Sequence, residues 1–351
     1  MATGSNPIFG VRSLHASRVQ LSAGEGKDVA ARYWAIEGRV TKLPAEVDEN
    51  FHLVSREGEF LLKVVPADEP SELSDLVTRA LLHVQRRGKG IAIQRVVPTS
   101  TGDLVATFED AAGERRRARL TTFVPGQMLR SLAVDRELRE LLGTVLARLG
   151  LALRDFDHPA ADRELSWDLR HAGRMQAMLD ELPASRHRAE LRASLIAFED
   201  GTVPRLLRLP GQVVHNDLSR DNAVLTAGGE IAVIDFGDAV RTQRVNDVAI
   251  AMADHLDESA EPFASALDLL RGYLAVEPLQ AEELALVYDL VRTREITRIV
   301  GAEWRAARFP ENRAYLARNV ERLTAVLAHL PEQPTGADLE RVDALIAEAG
   351  R

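Results

Sequence analysis

The chain has 351 residues, of which 46% are hydrophobic and 28% are charged, values near the globular average that exclude an extensively disordered protein. No apolar run approaches the roughly eighteen residues of a membrane-spanning helix, and the absence of cysteine excludes disulfides, a thiolate nucleophile and a cysteine-based zinc site. The formal charge of −9 argues against general nucleic-acid binding and mildly favours a cationic substrate; the alternative is that the charge only keeps the protein soluble. The missing signal-peptide pattern predicts a cytoplasmic protein.

The first part of the chain predicts a β-rich unit with one helix. Residues 1–30 are weakly patterned and contain Gly and Ser, so we expect a loose N-terminal segment there. Glu57-Gly58 predicts a tight turn between two strands, and Pro70 suits the first turn of an amphipathic helix. The predicted strands are residues 39–43, 50–56, 59–65, 91–97, 104–109 and 118–124, and the predicted helix is residues 70–85.

After Pro125-Gly126 the pattern changes to long amphipathic helices, which one segment with two short strands interrupts. The predicted helices are residues 135–156, 167–182, 186–198, 246–256, 262–273, 281–304, 313–330 and 337–349. The order predicts a β-rich lobe at residues 31–124 and a mainly helical lobe at residues 125–351, joined by a hinge at residues 122–126. We therefore predict an α+β protein with a nucleotide site between its two lobes.

Two short segments predict the chemistry. Residues 215–222 are His-Asn-Asp-Leu-Ser-Arg-Asp-Asn, and residues 234–238, which follow soon after, are Ile-Asp-Phe-Gly-Asp. Phosphoryl transfer requires a carboxylate that faces the acceptor hydroxyl and oxygen ligands for Mg²⁺. Asp217 would face the acceptor, and Asn222 and Asp235 would hold the metal. Together the segments predict a phosphotransferase centre that uses a nucleotide and Mg²⁺.

A lysine inside an apolar strand predicts the cation that contacts the phosphates. Lysine is scarce in this chain, and apolar residues flank Lys63 on both sides. A strand lysine of this kind pairs with nucleotide phosphates in kinases; the alternative is an edge-strand lysine whose amine reaches solvent. Its usual partner is a Glu on the following helix, where Glu72 and Asp75 are both candidates.

No glycine-rich phosphate loop is present between the first two strands, where one belongs. The polar turn there contains Glu46, Asp48 and Asn50, and it would present backbone N–H groups and an Asn amide to phosphates; a solvated hairpin is the alternative. Hinge backbone near Phe123 and Val124 would contact the base, so the sequence does not distinguish ATP from GTP.

The remaining candidate residues lie in sequence patterns that are less specific for a function. Trp167 would wall an acceptor pocket and Asp168 would attract a substrate ammonium, but an N-capping Asp beside a packed Trp predicts the same residues. Asp238 and Glu295 are further candidates for substrate binding. Two residues are predicted to be structural and to shape or anchor the 215–222 loop, namely His215 and Asp247.

These residues resemble the aminoglycoside phosphotransferase and choline kinase superfamily, and within it the hydroxylysine kinase-like branch, from about residue 31 to residue 330. The matching segments are residues 43–51, 62–64, 158–159 with 167–169, 215–217, and 234–238 leading to 246–253. Asn216, where many relatives have Gly, is similar to the hydroxylysine kinase-like branch. Where relatives often have an acidic or amide residue in the first helix, this chain has Val77-Thr78, so the partner of Lys63 stays open.

The resemblance implies a two-lobed protein-kinase-like fold with a β-rich N-terminal lobe and a mainly helical C-terminal lobe. It implies a Mg²⁺-dependent kinase for which Asp217 orients the acceptor, Asn222 and Asp235 bind the metal, and Lys63 and residues 46–50 bind the phosphates of ATP or GTP. The implied acceptor is a small hydroxy-amine, with 5-hydroxylysine leading and homoserine, choline and ethanolamine as variants. An aminoglycoside or macrolide kinase and a catalytically silent nucleotide-binding protein are alternatives. The sequence does not distinguish a monomer from a homodimer.

Overall fold

The computed structural model describes residues 20–45, 48–165 and 167–349. Its helices are α1 (Ala23–Trp34), α2 (Ser71–Arg87), α3 (Arg136–Leu153), α4 (Gln176–Asp180), α5 (Arg186–Gly201), α6 (Val203–Leu206), α7 (Arg244–Ala253), α8 (Pro262–Leu274), α9 (Ala281–Leu284), α10 (Val287–Arg308), α11 (Arg313–Leu316), α12 (Val320–Ala328) and α13 (Gly336–Ala349). Its strands are β1 (Gly38–Leu43), β2 (Glu49–Ser55), β3 (Glu59–Val65), β4 (Ala92–Ile93), β5 (Val96–Val97), β6 (Ala106–Glu109), β7 (Arg115–Thr122), β8 (Gln127–Met128), β9 (Gly211–Val214), β10 (Ala223–Leu225), β11 (Ile231–Val233) and β12 (Val240–Gln243).

An antiparallel sheet forms the base of the N-terminal lobe. Its strand order is β1-β2-β3-β7-β5, and β6 pairs with β7. Because side chains alternate along a strand, apolar residues of β2, β3 and β7 fall on one face of the sheet. Phe51, Leu62 and Leu120 are fully buried there and form a small core with residues of α1. This sheet carries Lys63 in the middle of β3.

Helix α1 occupies part of the segment that the sequence predicted to be loose. Ser22 and Glu25 form a capping box at its start, which satisfies backbone N–H groups that the helix leaves free. Val29 and Ala30 are buried in the core of the N-terminal lobe. Regular structure therefore begins before residue 31, because a cap and a short apolar face are enough to hold the helix on the sheet.

Helix α2 packs against the C-terminal lobe. Its buried residues Leu76, Ala80, Leu81 and Val84 belong to the same apolar cluster as the core of α3. Strand β4, which follows α2, pairs in parallel with β11 of the C-terminal lobe. The single strand predicted at residues 91–97 is thus two short strands, of which only β5 joins the N-terminal sheet.

The hinge enters the C-terminal lobe in close contact with β10. Strand β8 pairs with β10, and Gly126 just before it has a φ of +157°. A Cβ at Gly126 would overlap the carbonyl oxygen of Leu225. This position requires glycine because the two backbones approach too closely for a side chain.

Helices α3, α7, α8 and α10 form the centre of the C-terminal lobe. Gly272 lets α8 cross α3 closely, because a Cβ there would overlap the carbonyl oxygen of Glu140. The small sheet β4-β11-β10-β8 and the pair β12-β9 lie on this helical base. The backbone N–H of Ile234 donates to the carbonyl oxygen of Asn222 at 3.0 Å, which places the two predicted segments side by side.

Three predicted helices are broken in the structure. The helix predicted at residues 167–182 is a 3₁₀ stretch, Leu169–Met175, followed by α4. The helix predicted at residues 281–304 is divided into α9 and α10, and the one at residues 313–330 into α11 and α12. Apolar periodicity continues across short i→i+3 turns, so it does not mark these breaks. Within the described part of the chain, no helix is both long and apolar enough to cross a membrane.

Candidate active site

The loop of residues 215–222 connects β9 to β10 and is anchored by one buried carboxylate. Asp247 on α7 accepts hydrogen bonds from the backbone N–H groups of His215 at 3.4 Å and Asn216 at 2.7 Å. The His215 imidazole lies 3.1 Å from the carbonyl oxygen of Ile234 and so links the loop to the end of β11. Both side chains therefore fix the backbone of the loop.

Each of the two segments contains a residue in the left-handed region. Asn216 has a φ of +65° and Asp235 a φ of +60°. Such conformations cost on the order of 1 kcal/mol outside glycine, although Asn and Asp tolerate them better than most residues. Asn216 is fully buried, so the surrounding protein holds its backbone in place. The strained positions set the directions in which Asp217 and Asp235 leave the main chain.

The Asp217 carboxylate is held by an amide and a guanidinium. Asn222 Nδ2 donates to its Oδ2 at 2.7 Å, and Arg294 Nη2 on α10 donates to its Oδ1 at 3.1 Å. The side chain is 30% exposed, so one side of it remains accessible. Burial, and next the nearby Asp238 carboxylate, raise the pKa of Asp217 to about 8. A carboxyl group that titrates near neutral pH is suited to proton transfer.

The Lys63 amine lies between two carboxylates. It is 3.0 Å from Asp235 Oδ1 and 3.2 Å from Asp48 Oδ2. Burial would lower the pKa of Lys63, but Asp235 and then Asp48 outweigh it and raise the pKa. Lys63 in turn lowers the pKa of Asp235, which also accepts a hydrogen bond from the Gly237 N–H at 3.1 Å. Lys63 and Asp235 are therefore both charged at neutral pH.

Neither helix candidate pairs with Lys63. Asp75 lies 3.0 Å from the His158 imidazole and pairs with an arginine one turn further along α2. Glu72 and Asp75 line a separate cavity of about 610 Å³ beside α2, and the lining of that cavity does not include Lys63. The acidic side chains of α2 thus face the turn at residues 158–160. The second partner of Lys63 is Asp48, from the turn before β2, and not a residue of the helix.

Two oxygen atoms beside Asp217 fit a divalent cation. The Asn222 nitrogen is directed at Asp217, which leaves its amide oxygen available, and Asp235 uses Oδ1 for Lys63, which leaves Oδ2. Neither remaining oxygen bonds a residue that the structure describes. Mg²⁺ prefers such hard oxygen ligands and usually takes only one or two from the protein, with phosphates and water supplying the rest. Among the described residues, no group of three His, Asp or Glu side chains is arranged to hold a metal ion.

The predicted nucleotide residues lie along β2, β3 and the hinge, except that Glu46 falls outside the described residues. Asn50 is the cross-strand neighbour of Lys63, and its amide oxygen is buried without a hydrogen-bond partner among the described residues. Phe123 stacks on a histidine of β2 with ring centroids 4.0 Å apart. The Val124 backbone bonds no other described residue, so it is available to a ligand.

Two residues predicted to bind substrate are buried in the protein. Asp168 is fully buried and accepts hydrogen bonds from Arg170 at 2.6 Å and Thr242 at 3.1 Å. Glu295 is also fully buried and pairs with Arg298 at 2.9 Å. A substrate role does not fit these positions, because both carboxylates face internal cations. For Asp168 the alternative, a capping residue, agrees with its bond to the Arg170 N–H.

The other two residues predicted to bind substrate, Trp167 and Asp238, lie in different environments. Trp167 packs against Gly301 of α10, where an added Cβ would lie 3.1 Å from the ring. Asp238 is half-buried, and its carboxylate bonds no residue within the described ranges. Asp238 also acts electrostatically on both Asp217 and Arg294, which places it beside them. Of the four residues predicted to bind substrate, Asp238 is therefore the one whose charge influences both Asp217 and Arg294.

Arg294 belongs to this cluster, although the sequence did not single it out. Nearly all positive charge in the chain is arginine, so no arginine stands out by type. Arg294 also follows Asp217 by 77 positions, and only the packing of α10 brings the two together. One sequence pattern could have indicated Arg294: it lies one helical turn before Arg298, on a helix face that is otherwise buried.

Comparison with known proteins agrees with this arrangement. The model of the Phosphotransferase enzyme family, APH, matches residues 39–284, which is more than half of the chain. Hydroxylysine kinase from Mus musculus is 24% identical over 302 residues, which are 79% of this chain and 80% of that protein. These findings confirm the resemblance to the superfamily and to its hydroxylysine kinase-like branch.

Solved structures show the same fold. The amicoumacin kinase hAmiN, in complex with AMP-PNP, Ca²⁺ and Ami, superposes with a TM-score of 0.70 at 18% identity over 90% of this chain and 96% of its own. A microcompartment-associated aminopropanol kinase gives a TM-score of 0.65 at 17% identity over 89% and 100%. The predicted two-lobed, protein-kinase-like α+β fold is thereby confirmed. Since Lys63, Asp217, Asn222 and Asp235 all fall within the matched residues, we conclude that the chain belongs to the phosphotransferase enzyme family.

Proposed function

We propose that this protein transfers the γ-phosphoryl group of ATP or GTP to the hydroxyl of a small amino-bearing acceptor, with 5-hydroxylysine as the leading candidate. The observation that carries the proposal is the Asp217 carboxylate, held by Asn222 and Arg294 beside the Lys63–Asp235 ion pair. This arrangement supplies a carboxylate for the acceptor, oxygen ligands for a metal and a cation for the phosphates, which are the groups that phosphoryl transfer requires.

The roles follow from the contacts. Asp217 would accept or orient the hydroxyl proton of the acceptor, for which a pKa of about 8 is suitable. Lys63 would hold phosphate oxygens, and Asn222 and Asp235 would hold Mg²⁺, which neutralises phosphate charge when bound. Asp238 would attract the amine of the acceptor, because its half-buried carboxylate bonds no described residue.

Relatives support an acceptor that carries both an amine and a hydroxyl. They include a hydroxylysine kinase at 24% identity and an aminopropanol kinase among the solved structures. Homoserine, choline and ethanolamine are variants of the same chemistry. A second candidate is an antibiotic kinase that acts on an aminoglycoside or a macrolide, and the amicoumacin kinase shows that a protein of this fold acts on amicoumacin.

The test is a mass-spectrometric screen for phosphorylated product. Purified protein receives Mg²⁺ with ATP or GTP and a pool of 5-hydroxylysine, homoserine, choline, ethanolamine and several antibiotics. Asp217→Asn should reduce turnover by about 10² to 10⁴, the usual contribution of a positioned base, and leave nucleotide affinity nearly unchanged. Asp221→Asn is the matched control, because this exposed carboxylate of the same loop pairs with Arg130 at 2.8 Å. Equal turnover in Asp217→Asn would refute the assignment, and normal nucleotide binding without product would favour a silent kinase fold.

A further inference from the structure

The Arg294 guanidinium has more hydrogen-bonding capacity than this structure uses. Its side chain is only 10% exposed, and within the described residues it makes one hydrogen bond, from Nη2 to Asp217. Nη1 is buried and has no partner among the same residues. An unsatisfied buried donor is costly, and this one lies beside Asp217, where a ligand could satisfy it.

A second arginine on the same helix shows the contrast. Arg298 lies one turn after Arg294 and donates to Asp254 at 3.0 Å and to Glu295 at 2.9 Å. Both of its terminal nitrogens are therefore paired with carboxylates of the protein. Of these two arginines of α10, only Arg294, which meets the 215–222 loop, has a buried terminal nitrogen without a partner among the described residues.

Arg294 and Asp238 together provide a cation and an anion beside Asp217. The Asp238 charge acts on both of the other groups, and its carboxylate has no hydrogen bond within the described part of the chain. An amino acid carries one carboxylate and one ammonium, which are the complements of this pair. A simple amino alcohol has no group for Arg294.

We infer that Arg294 is a specificity-determining residue that binds the carboxylate of the acceptor, so that the acceptor is a hydroxylated amino acid. This inference rests on the proposed function, because it takes the group that receives the phosphoryl to be a hydroxyl of the acceptor. A guanidinium binds a carboxylate through two nitrogens at once. Acceptor binding would therefore replace the single bond from Arg294 to Asp217 with a bidentate pair, and would release Asp217 Oδ1 for the hydroxyl.

The test compares acceptors that differ only in the carboxylate. One pair is 5-hydroxylysine and 1,5-diaminopentan-2-ol, and the other is homoserine and 3-aminopropan-1-ol. Calorimetry with Mg²⁺ and AMP-PNP present should show that the amino acid of at least one pair binds the wild type about 10- to 100-fold more tightly, the effect of a hydrogen bond between charged groups. Arg294→Gln should remove this preference. Arg298→Gln, the matched control, should retain it.

Arg294→Lys provides a variant with less risk to folding, because it keeps the positive charge. It lacks the planar fork, so we expect a preference between those of the wild type and Arg294→Gln. The ratio of kcat/KM for the amino acid to kcat/KM for its amino alcohol gives a second readout. An effect of Arg294 on Asp217 changes both values equally and therefore does not alter this ratio. An arginine that only positions Asp217 would leave this ratio unchanged in both variants.

The outcomes separate the two proposals. A wild type without preference for the carboxylate, or an unchanged preference in the Arg294 variants, overturns the inference. Transfer to the amino alcohols with the same kcat/KM as to the amino acids upholds the kinase function and also overturns the inference. Carboxylate-dependent binding that Arg294→Gln abolishes, without phosphoryl transfer, supports the inference and refutes the proposed function.

Discussion

Asp48 provides a direct test of the nucleotide side of the site. Its carboxylate lies 3.2 Å from the Lys63 amine, and its side chain is 9% exposed. The other partner of Lys63 is Asp235, which is also the proposed metal ligand. Once Asp235 binds a metal ion, its carboxylate attracts the Lys63 amine less strongly. Asp48 would therefore be the main partner of Lys63 in the nucleotide complex.

We expect Asp48→Asn to weaken binding of Mg²⁺ and AMP-PNP by about 10- to 100-fold. A hydrogen bond between charged groups contributes about 1.5–3 kcal/mol, and about 1.4 kcal/mol corresponds to a tenfold change in affinity. Both side chains are nearly buried, so water replaces little of the lost interaction. Asn preserves the shape of Asp48, and Asp235 still pairs with Lys63, so the protein should fold normally.

Titration calorimetry with AMP-PNP at saturating Mg²⁺ measures this change. Glu49→Gln is the matched control, because Glu49 is the next residue and pairs with Lys42 at 2.5 Å instead. That variant should bind the nucleotide as the wild type does. Wild-type affinity in Asp48→Asn, together with weak binding in Glu72→Gln or Asp75→Asn, would refute the reasoning and return the partner of Lys63 to α2.

Two further predictions concern stability. Asp168→Ala should lower the free energy of unfolding by about 3–5 kcal/mol in chemical denaturation, because it leaves Arg170 without its carboxylate; reduced acceptor affinity at unchanged stability would show a substrate role instead. Burial lowers the pKa of His255 from 6.5 to about 4, so its contribution to stability is present above pH 6.5 and is lost as the pH falls towards 4. The loss is about 3 kcal/mol at about 1.36 kcal/mol per pKa unit. His255→Gln should flatten this acid limb, and an identical pH profile in the variant would contradict the assignment.

Local signals made much of the fold predictable. Apolar alternation located β3 and therefore Lys63, and the predicted and observed bounds of that strand are the same. Each of the short segments that contain Asp217 and Asp235 follows a strand, and the two segments are close together in the sequence. Their proximity in space therefore follows from the order of these elements along the chain. Periodicity of 3.6 residues located the long helices α3, α8 and α10.

Contacts between residues that are far apart in the sequence could not be predicted from the sequence. Asp168 has the same identity whether it caps a helix or binds a substrate, and only its complete burial separates the two roles. Arg294 was not distinguishable from other arginines, because its meeting with Asp217 depends on how α10 crosses the lobe. The partner of Lys63 was expected on α2, since sequence proximity does not show which way Glu72 and Asp75 point.

The packing of α2 has a consequence for regulation. Protein kinases are switched by moving a helix whose Glu pairs with the strand lysine. Here the apolar face of α2 belongs to the core of the C-terminal lobe, and Lys63 takes its partners from Asp48 and Asp235. Displacing α2 would therefore disrupt a core and leave the ion pairs of Lys63 in place, so a movement of this helix cannot separate the lysine from its partners as it does in protein kinases.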